Sequence, residues 1–326
     1  RPYEGVIRRF LPRVPTKASL PHEKNIAERT RPLVVEFAKM HGAGNDFIVV
    51  DNRFFHFSDA ELATLARWWC PRRTGIGADG LLALAGPQDE THDYRMRYFN
   101  ADGSVARMCG NGARCLARFA REAGIGAGET LTFASDAGVY RASVPAERGA
   151  DVRLYVPPPK DFAPDLALER ANGASWPPAH YVWTGTEHVV CFVDDVDRVP
   201  VEERGRAIRR DPALAPAGAN ANFVEVTAGG NGEADAALRV RTYEKGVEAE
   251  TQACGTGALA AAVVARLLGR VEASVVPVRM PGGTLRVGMS VEGDAVTELY
   301  LEGPAVKVFR GTVDVDPKAL STASAA

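Results

Sequence analysis

This chain of 326 residues lacks the familiar motifs of metal-dependent and nucleotide-dependent enzymes. It contains no Cys-x-x-Cys and no His-Glu-x-x-His, and its six histidines are scattered, so no metal-ligand spacing emerges. It also has no Walker loop and no dinucleotide fingerprint, because the Gly-Ala-Gly at residues 42–44 is followed by a strand pattern instead of a helix. These absences argue against a zinc site, a P-loop and a dinucleotide-binding domain.

Cysteine, long apolar runs and excess charge are also scarce. The five cysteines are odd in number and widely spaced, which does not suit a disulfide framework and favours a reducing cytoplasm. No run approaches the roughly 18 apolar residues of a membrane span, and the longest apolar stretch, Ala258 to Leu268 with Arg266 as its one charged residue, is typical of a buried helix. The net charge of −2 predicts no bulk attraction to nucleic acid.

A short motif that begins with cysteine occurs twice. It reads Cys-Gly-Asn-Gly-Ala at residues 109–113 and Cys-Gly-Thr-Gly-Ala at residues 254–258, each after a strand pattern and before a helix pattern. A thiol at a helix N-terminus is favoured as thiolate, and the glycines let an anionic group approach the free N–H groups. Two such helix ends facing each other predict a carboxylate cradle with a thiol on each side. This arrangement suits removal of a proton from one face of a carbon and its delivery to the other.

The duplication extends upstream of both cysteines. The strand pattern at Met96–Asn100 resembles that at Val240–Glu244, and Asn45–Val50 resembles Asn222–Val226. A repeat in the same order indicates two related halves of a pseudo-symmetric protein. We therefore predict an α+β fold of two pseudo-symmetric domains, each with strands wrapped around a central helix, and a site in the cleft between them.

Composition and proline content predict the domain boundaries. The first 32 residues carry eight Lys/Arg against three Asp/Glu and contain five prolines, so we expect a flexible extension over residues 1–33. Three consecutive prolines at 157–159 separate an N-terminal half, residues 34–156, from a C-terminal half, residues 157–303. The Ser- and Ala-rich end, residues 318–326, is predicted to be a disordered tail.

Helix signals are clearest at four places. Ser58 is a plausible N-cap for a helix to Trp68, and a second helix is predicted from Cys109 to about Glu122. Further helices are predicted over Val201–Arg209 and after Cys254.

Four motifs together carry a family resemblance. They are Lys-Met-His-Gly-Ala-Gly-Asn-Asp-Phe at 39–47, Phe-Asn-Ala-Asp-Gly-Ser at 99–104, Cys-Gly-Asn-Gly-Ala-Arg at 109–114 and Glu-Thr-Gln-Ala-Cys-Gly-Thr-Gly at 250–257. In order and spacing they resemble diaminopimelate epimerase, and the match runs from about Val34 to Val315. The resemblance implies a cofactor-independent epimerisation of LL- to meso-diaminopimelate, on the route to lysine and peptidoglycan precursors. It also implies that a last strand, within residues 304–317, returns to the N-terminal half. A homodimer is our expectation for the oligomeric state, which the sequence itself does not fix.

The resemblance implies roles for particular residues. Cys109 and Cys254 form the acid and base pair, with His188 and Glu244 beside them. The residues implied to bind the substrate are Asn45, Asn100, Gly110, Asn111, Asn220, Glu244, Lys245, Gly255 and Thr256. No metal site and no cofactor are implied, and the implied partner is a small molecule, not nucleic acid or a membrane.

Three departures from the family pattern bear on substrate choice. The family often has Gly-Asn-Pro-His where this chain has Gly-Thr-Glu-His at 185–188, so Thr186 replaces an asparagine. Lys245 replaces an arginine, whose planar fork can hold a carboxylate with two hydrogen bonds. The link that follows, residues 246–249, is one residue longer than in many members.

Other functions stay open at this level. The first alternative is a related cofactor-independent racemase or epimerase with a different amino-acid substrate. A redox protein that uses Cys109 and Cys254 as a dithiol is disfavoured by the lack of Cys-x-x-Cys, and a catalytically silent binding module is disfavoured because both cysteines are intact.

Overall fold

The structure is a computed structural model that describes residues 32–147, 149–169, 176–227, 238–293 and 295–325. Nearly all of the predicted N-terminal extension, residues 1–31, therefore lies outside the described residues. The helices are α1 Asn52–Phe55, α2 Asp59–Trp69, α3 Gly110–Glu122, α4 Val201–Arg209, α5 Gly255–Leu267 and α6 Pro317–Ala325. The first strands are β1 Leu33–Gly42, β2 Asn45–Asp51, β3 Gly80–Ala85, β4 Tyr94–Asn100, β5 Val105–Ala106, β6 Thr130–Ser135, β7 Gly138–Ser143, β8 Val152–Val156 and β9 Lys160–Ala163. The later strands are β10 Ala179–Trp183, β11 Glu187–Phe192, β12 Asn220–Val226, β13 Leu238–Glu244, β14 Ala249–Thr251, β15 Val275–Met280, β16 Gly283–Glu292, β17 Ala295–Gly303 and β18 Val306–Val315.

The strand pairings repeat in the two halves. In the first half β2 pairs parallel with β3, β3 antiparallel with β4, and β4 parallel with β6. In the second half β11 pairs parallel with β12, β12 antiparallel with β13, and β13 parallel with β15. The predicted α+β fold of two pseudo-symmetric halves is confirmed. The predicted match of Asn45–Val50 with Asn222–Val226 is wrong by one strand. In the order of pairing, β12, which holds Asn222, corresponds to β3, whereas Asn45–Val50 lies in β2.

The two halves exchange strands and meet at one strand pair. After the first half, β9 pairs with β10 of the second half, and after the second half β18 pairs with β1 of the first. Between the halves β8 runs antiparallel to β17, with Leu154 opposite Leu301. The strands β8 and β17 correspond to each other in the two repeats. The two leucines that face each other across this pair therefore occupy equivalent positions.

Each half packs its strands around one helix. The core around α3 includes Phe47, Leu116 and Phe133, all fully buried. The core around α5 includes Val224, Val263 and Val287, and every α5 residue from Gly257 to Ala265 is buried. A helix that is apolar on nearly all sides suits a central position within a curved sheet.

The helices α2 and α6 compare differently with the sequence predictions. Ser58 caps α2, and the Glu61 side chain accepts a hydrogen bond from the Ser58 backbone N–H, so both halves of a capping box are present. The C-terminal segment differs from the predicted disordered tail, because Pro317–Ala325 forms α6. Leu320 of this helix is fully buried, and Ser324 Oγ donates a hydrogen bond to Thr64 Oγ1 at 3.1 Å, which fixes α6 on α2.

Candidate active site

Both cysteines of the repeated motif lie at the start of a helix. Cys109 precedes α3 with φ −142° and Cys254 precedes α5 with φ −116°, so each is an extended N-cap residue. A Cβ added to Gly110 or to Gly255 would lie 3.5 Å or 3.0 Å from the same methyl carbon, Cδ2 of Leu301. The two helix starts therefore flank one leucine of the β8–β17 pair, and the fold brings the two motifs together.

The glycines in these motifs also allow close packing behind the sulfurs. A Cβ on Gly257 would lie 2.5 Å from Asn222 Oδ1, and a Cβ on Gly112 would lie 3.2 Å from a methyl carbon of Leu82. Any larger residue at position 257 would push the first turn of α5 away from β12. The first-turn N–H groups of both helices, where Gly110, Asn111, Gly255 and Thr256 lie, are the donors that the sequence predicts for a carboxylate.

The two sulfurs have different neighbours. Cys109 Sγ donates a hydrogen bond to Asn45 Oδ1 at 3.5 Å, and Asn111 Nδ2 donates to the same oxygen at 3.4 Å. Cys254 Sγ lies 3.5 Å from Thr256 Oγ1, where either atom can be the donor. Cys254 is 4% exposed, whereas Cys109 is partly exposed.

Burial raises the pKa of both thiols. It raises the pKa of Cys109, against the lowering effect of the Gly112 and Asn111 backbone N–H groups. It raises the pKa of Cys254 to about 12, with a further increase from the charge of Glu244. Without a substrate, both groups are therefore thiols near neutral pH.

Glu244 acts on both cysteines from the end of β13. Its negative charge raises the pKa of Cys109 and of Cys254, so it lies within electrostatic reach of both. Burial in turn raises the pKa of Glu244 itself, although Thr251 Oγ1 donates to its Oε2 at 2.9 Å and lowers it. A carboxylate held beside two thiols is a suitable partner for a cationic group of a substrate.

His188 lies behind the surface of the site. It is fully buried in β11, and its ring nitrogens lie 3.3 Å from Asn220 Nδ2 and 3.0 Å from Asn222 Nδ2. Burial, with a smaller contribution from the Lys245 charge, lowers the pKa of His188 to about 3. The imidazole is therefore neutral at physiological pH.

This neutral histidine predicts a pH dependence of stability. The pKa of His188 falls from 6.5 in the unfolded chain to about 3 in the folded one, so between these values the unfolded chain binds the extra proton. The free energy of unfolding should decrease by about 2 kcal/mol between about pH 7 and about pH 5 through this one group. Urea denaturation of the wild type and of His188→Gln at both pH values gives the change in the free energy of unfolding between pH 7 and pH 5 for each protein. An equal change in the two proteins would contradict the expectation.

The predicted distal contact, Lys245, already has a protein partner. Its Nζ forms an ion pair with Glu187 Oε2, and its backbone N–H donates to Asn220 Oδ1 at 2.7 Å. Thr186 Oγ1 donates to Glu187 Oε2 at 2.9 Å. Thr186, Glu187 and His188 thus lie within one cluster with Lys245 and Asn220.

Asn100 stands apart from these contacts. Its Nδ2 donates to Ser104 Oγ at 2.9 Å within the turn after β4. The structure thus brings together Cys109, Asn45 and Asn111 on one side and His188, Asn220 and Lys245 on the other, while Asn100 lies at the end of β4.

Sequence reasoning missed a tyrosine in the site. Burial raises the pKa of Tyr98, and the charges of Cys109 and Glu244 raise it further, which places this half-buried phenol near both groups. A Cβ on Gly80 would lie 2.6 Å from Tyr98 Cε2, so the glycine leaves the space that the ring occupies. The signal was available, because Tyr98 lies two residues before Asn100 on β4 and so projects from the same face.

No group of three or more metal-ligating side chains occurs within the described parts of the chain. Among the described helices, none combines the length and the apolar character needed to cross a membrane.

The chain matches known proteins along most of its length. A profile of the family described as diaminopimelate epimerase matches residues 37–159 and 180–308. The diaminopimelate epimerase of Chlorobaculum tepidum is 44% identical over 278 residues, which cover 84% of this chain and 99% of that protein. The diaminopimelate epimerase of Aquifex aeolicus is 39% identical over 284 residues, which cover 85% of this chain and 97% of that protein.

Solved structures with the same fold are more distant in sequence. A phenazine biosynthesis protein of the PhzF family from Bacillus anthracis has a TM-score of 0.67 at 18% identity, covering 87% of this chain and all of that one. A hydroxyproline epimerase from Agrobacterium vitis has a TM-score of 0.59 at 16% identity, covering 87% of this chain and 93% of that one. At these identities the likeness concerns the fold.

Proposed function

Since the chain belongs to the diaminopimelate epimerase family, and is thus an isomerase, we propose that it interconverts LL- and meso-diaminopimelate with Cys109 and Cys254 as its two bases. The observation that carries this proposal is the pair of cysteines at two helix starts that pack on one leucine, Leu301. Such a pair can address the two faces of one carbon. The direct test is epimerisation of LL-diaminopimelate by the purified protein without an added cofactor.

In the proposed reaction each sulfur has one task in each direction. One sulfur, as thiolate, takes the α-proton from one face of the substrate carbon, and the electron pair of the C–H bond stays on that carbon. The other sulfur, as thiol, gives its proton to the opposite face and becomes the thiolate. In the reverse direction the two sulfurs exchange tasks, so the configuration at the carbon is inverted and the site is ready for the opposite substrate.

The α-hydrogen of an amino acid is a very weak acid, so the developing carbanion needs stabilisation. The N–H groups at the starts of α3 and α5 are the available donors for the carboxylate next to the reacting carbon. They are held by the helices before the reaction begins. Such preorganised donors stabilise charge that develops in the transition state more than charge in the ground state.

Substrate binding also supplies a reason for a thiolate to form. In the free enzyme, burial and the charge of Glu244 raise the pKa of both thiols. The ammonium group of an amino acid placed between the sulfurs and Glu244 would offset that charge and lower the pKa of a neighbouring thiol. In this account, the base is generated mainly in the complex and the free enzyme rests with two thiols.

The distal end of the substrate is proposed to bind at the cluster of Lys245, Asn220 and Glu187. Diaminopimelate carries an ammonium and a carboxylate at that end, and the ion pair of Lys245 with Glu187 offers the complementary charges. A distal carboxylate would share the Lys245 ammonium with Glu187, whereas an arginine would hold it with two parallel hydrogen bonds.

Lys245→Ala should weaken the binding of diaminopimelate by roughly one to two decades, because a hydrogen bond to a charged group contributes about 1.5–3 kcal/mol. We expect the loss mainly in KM, since the distal contact is equal in the ground state and in the transition state. Steady-state kinetics with diaminopimelate and with lysine, which lacks the distal carboxylate, measure the effect.

Two further variants make this prediction sharper. Lys245→Arg should keep activity, and Glu187→Gln should raise KM because the distal ammonium of the substrate then loses its complementary carboxylate. If Lys245→Ala harms lysine and diaminopimelate equally, or if the wild type prefers lysine, the distal-carboxylate role is wrong.

The alternative substrate hypothesis rests on the same cluster. Thr186 and Lys245 depart from the family pattern, so a related racemase or epimerase with another amino acid is the second candidate. The 44% identity to a diaminopimelate epimerase over nearly the whole of that protein favours diaminopimelate. A panel of amino acids assayed beside diaminopimelate decides between the two.

The cellular role follows from the proposed reaction. We propose a cytoplasmic enzyme that supplies meso-diaminopimelate for lysine and peptidoglycan precursors. The five cysteines are all free in the structure, which suits a reducing compartment. The proposed homodimer is tested by light scattering of the purified protein.

A further inference from the structure

A continuous chain of hydrogen bonds runs behind Cys109. Arg114 Nη2 donates to Asn111 Oδ1 at 2.9 Å, and Asn111 Nδ2 donates to Asn45 Oδ1 at 3.4 Å. Asn45 Nδ2 donates in turn to Asp79 Oδ2 at 2.7 Å. Two side-chain amides thus lie between a guanidinium at one end and a carboxylate at the other.

We infer that Asp79 and Arg114 are positioning residues that fix the orientation of the Asn45 and Asn111 amides, so that Asn45 presents its oxygen to Cys109 and favours the protonated form of this thiol. The inference rests on the proposed function, in which Cys109 alternates between thiol and thiolate. It assigns to the two charged residues a role that is separate from contact with the substrate.

The chemistry of Arg114 and Asp79, at its two ends, gives the chain of hydrogen bonds its direction. A guanidinium can only donate and an ionised carboxylate can only accept, whereas a side-chain amide can be turned either way. With Arg114 as donor, Asn111 must turn its oxygen inward and its nitrogen toward Asn45. With Asp79 as acceptor, Asn45 must turn its nitrogen toward Asp79 and its oxygen toward Asn111 and Cys109.

The Arg114 end is fixed by burial. The side chain is fully buried, and its Nη1 also donates to the Gly110 carbonyl at 3.4 Å. Within the described residues no carboxylate lies at ion-pair distance from Arg114, and its Nε has no hydrogen-bond partner there. Because this buried guanidinium has so few acceptors, losing its hydrogen bond to the Asn111 oxygen would cost much free energy.

The Asp79 end is fixed by neighbouring charges. Arg72 Nη2 donates to Asp79 Oδ1 at 2.6 Å, and the Asp46 backbone N–H donates to Asp79 Oδ2 at 3.1 Å. Arg72 also pairs with Asp46, and Lys39 holds Asp46 at 2.6 Å. Hydrogen bonds from Arg72 and Lys39 hold the pKa of Asp46 at about 2 despite the opposing effect of its burial. Both oxygens of Asp79 therefore already accept hydrogen bonds, and this end of the hydrogen-bond chain is an acceptor.

Cys109 therefore faces the oxygen of the Asn45 amide and not its NH2 group. Asn45 Oδ1 can accept the S–H proton but cannot stabilise a thiolate, so it favours the thiol. Cys254 Sγ instead lies beside the Thr256 hydroxyl, which can either donate or accept, so its hydrogen bond does not favour one form of the sulfur. Two other titratable groups act on Cys109: Glu244 from β13 raises its pKa, and Arg114 from α3 lowers it. Cys109 in turn raises the pKa of its neighbours Cys254, Tyr98 and Cys115.

The test measures the Cys109 thiol directly in a Cys254→Ser background. The rate of alkylation of Cys109 by iodoacetamide, followed by mass spectrometry against pH, gives its apparent pKa. Asp79→Leu frees the Asn45 amide to turn its NH2 group toward the sulfur, so the pKa of Cys109 should fall by about one unit. Asp79→Asn keeps an acceptor oxygen and should restore most of the shift.

A double-mutant cycle separates positioning from a general structural effect. If Asp79 acts through Asn45, the Asp79→Leu change should have no further effect on the pKa of Cys109 in an Asn45→Ala background. Asn45→Ala alone should lower this pKa, and this variant keeps the inference testable if Asp79→Leu fails to fold. Asp59→Leu, which breaks the ion pair of Asp59 on α2 with Arg97 on β4, is the matched control and should leave the pKa of Cys109 unchanged.

An unchanged pKa of Cys109 in both Asp79→Leu and Asn45→Ala would overturn the inference, as would an equal shift from Asp79→Leu with and without Asn45. Neither readout uses turnover. If the thiol responds as expected but diaminopimelate is not epimerised, the proposed substrate is wrong and the positioning role stands.

Discussion

Replacing either Cys109 or Cys254 by alanine is expected to lower the rate of diaminopimelate epimerisation by about 10²- to 10⁴-fold, the usual effect of losing one general acid–base group. Each direction of the proposed reaction needs one sulfur as base and the other as acid, so neither cysteine can be spared. Both lie at helix starts that flank Leu301. Initial rates in both directions, measured on folded variants, give the effect.

Two other cysteines, both buried, are the matched controls. Cys115 lies within α3 and Cys191 within β11, and both are fully buried or nearly so. Burial raises the pKa of each to about 12, and neither starts a helix. Their alanine variants should keep wild-type rates while losing some stability from the small cavity. Full activity of Cys109→Ala or Cys254→Ala would contradict the two-base account.

Mild oxidation is expected to abolish activity reversibly. Two thiols on opposite sides of one substrate carbon should be able to approach closely in the free enzyme, because both helix starts flank Leu301. With diamide as the oxidant, the two thiols would lose two electrons and two protons and form one S–S bond, if the backbone permits the geometry. Activity should then return with dithiothreitol.

Thiol mapping identifies the bond that forms. We expect a peptide that joins Cys109 to Cys254, and protection against oxidation when diaminopimelate is present. Loss of activity through Cys70 or Cys191 would count against a facing pair, since both are buried outside the site. The Cys109→Ala variant, treated in the same way, should show no protein-to-protein disulfide.

The elements that carry the cysteines were predictable because their signals are local. The Cys-Gly-x-Gly motif predicted the start of α3, and Gly124 predicted its end at about Glu122, where the helix does end. The repetition of the motif predicted two related halves. The order of strands within the repeat needed the pairing itself, since β3 and β12 correspond although Asn45–Val50 and Asn222–Val226 look alike in sequence.

Other features depend on contacts that the sequence does not reveal. The Ser- and Ala-rich tail has a disordered composition, yet burial of Leu320 against α2 stabilises a helix there. The pairing of Lys245 with Glu187 joins residues 58 positions apart. The contact of Asn45 with Asp79 spans 34 positions. Such contacts arise from the parallel and antiparallel register of the sheet, which local propensity does not encode.

The most direct test of the central claim is the fate of solvent deuterium during epimerisation of LL-diaminopimelate in deuterated water. Early in the reaction, the meso product should carry one deuterium at the inverted carbon while the recovered LL substrate stays unlabelled, because one sulfur removes the proton and the other, exchanged with solvent, delivers deuterium. Inversion with the original hydrogen retained, equal labelling of recovered substrate and product from the start, or no turnover of diaminopimelate would contradict the two-cysteine mechanism.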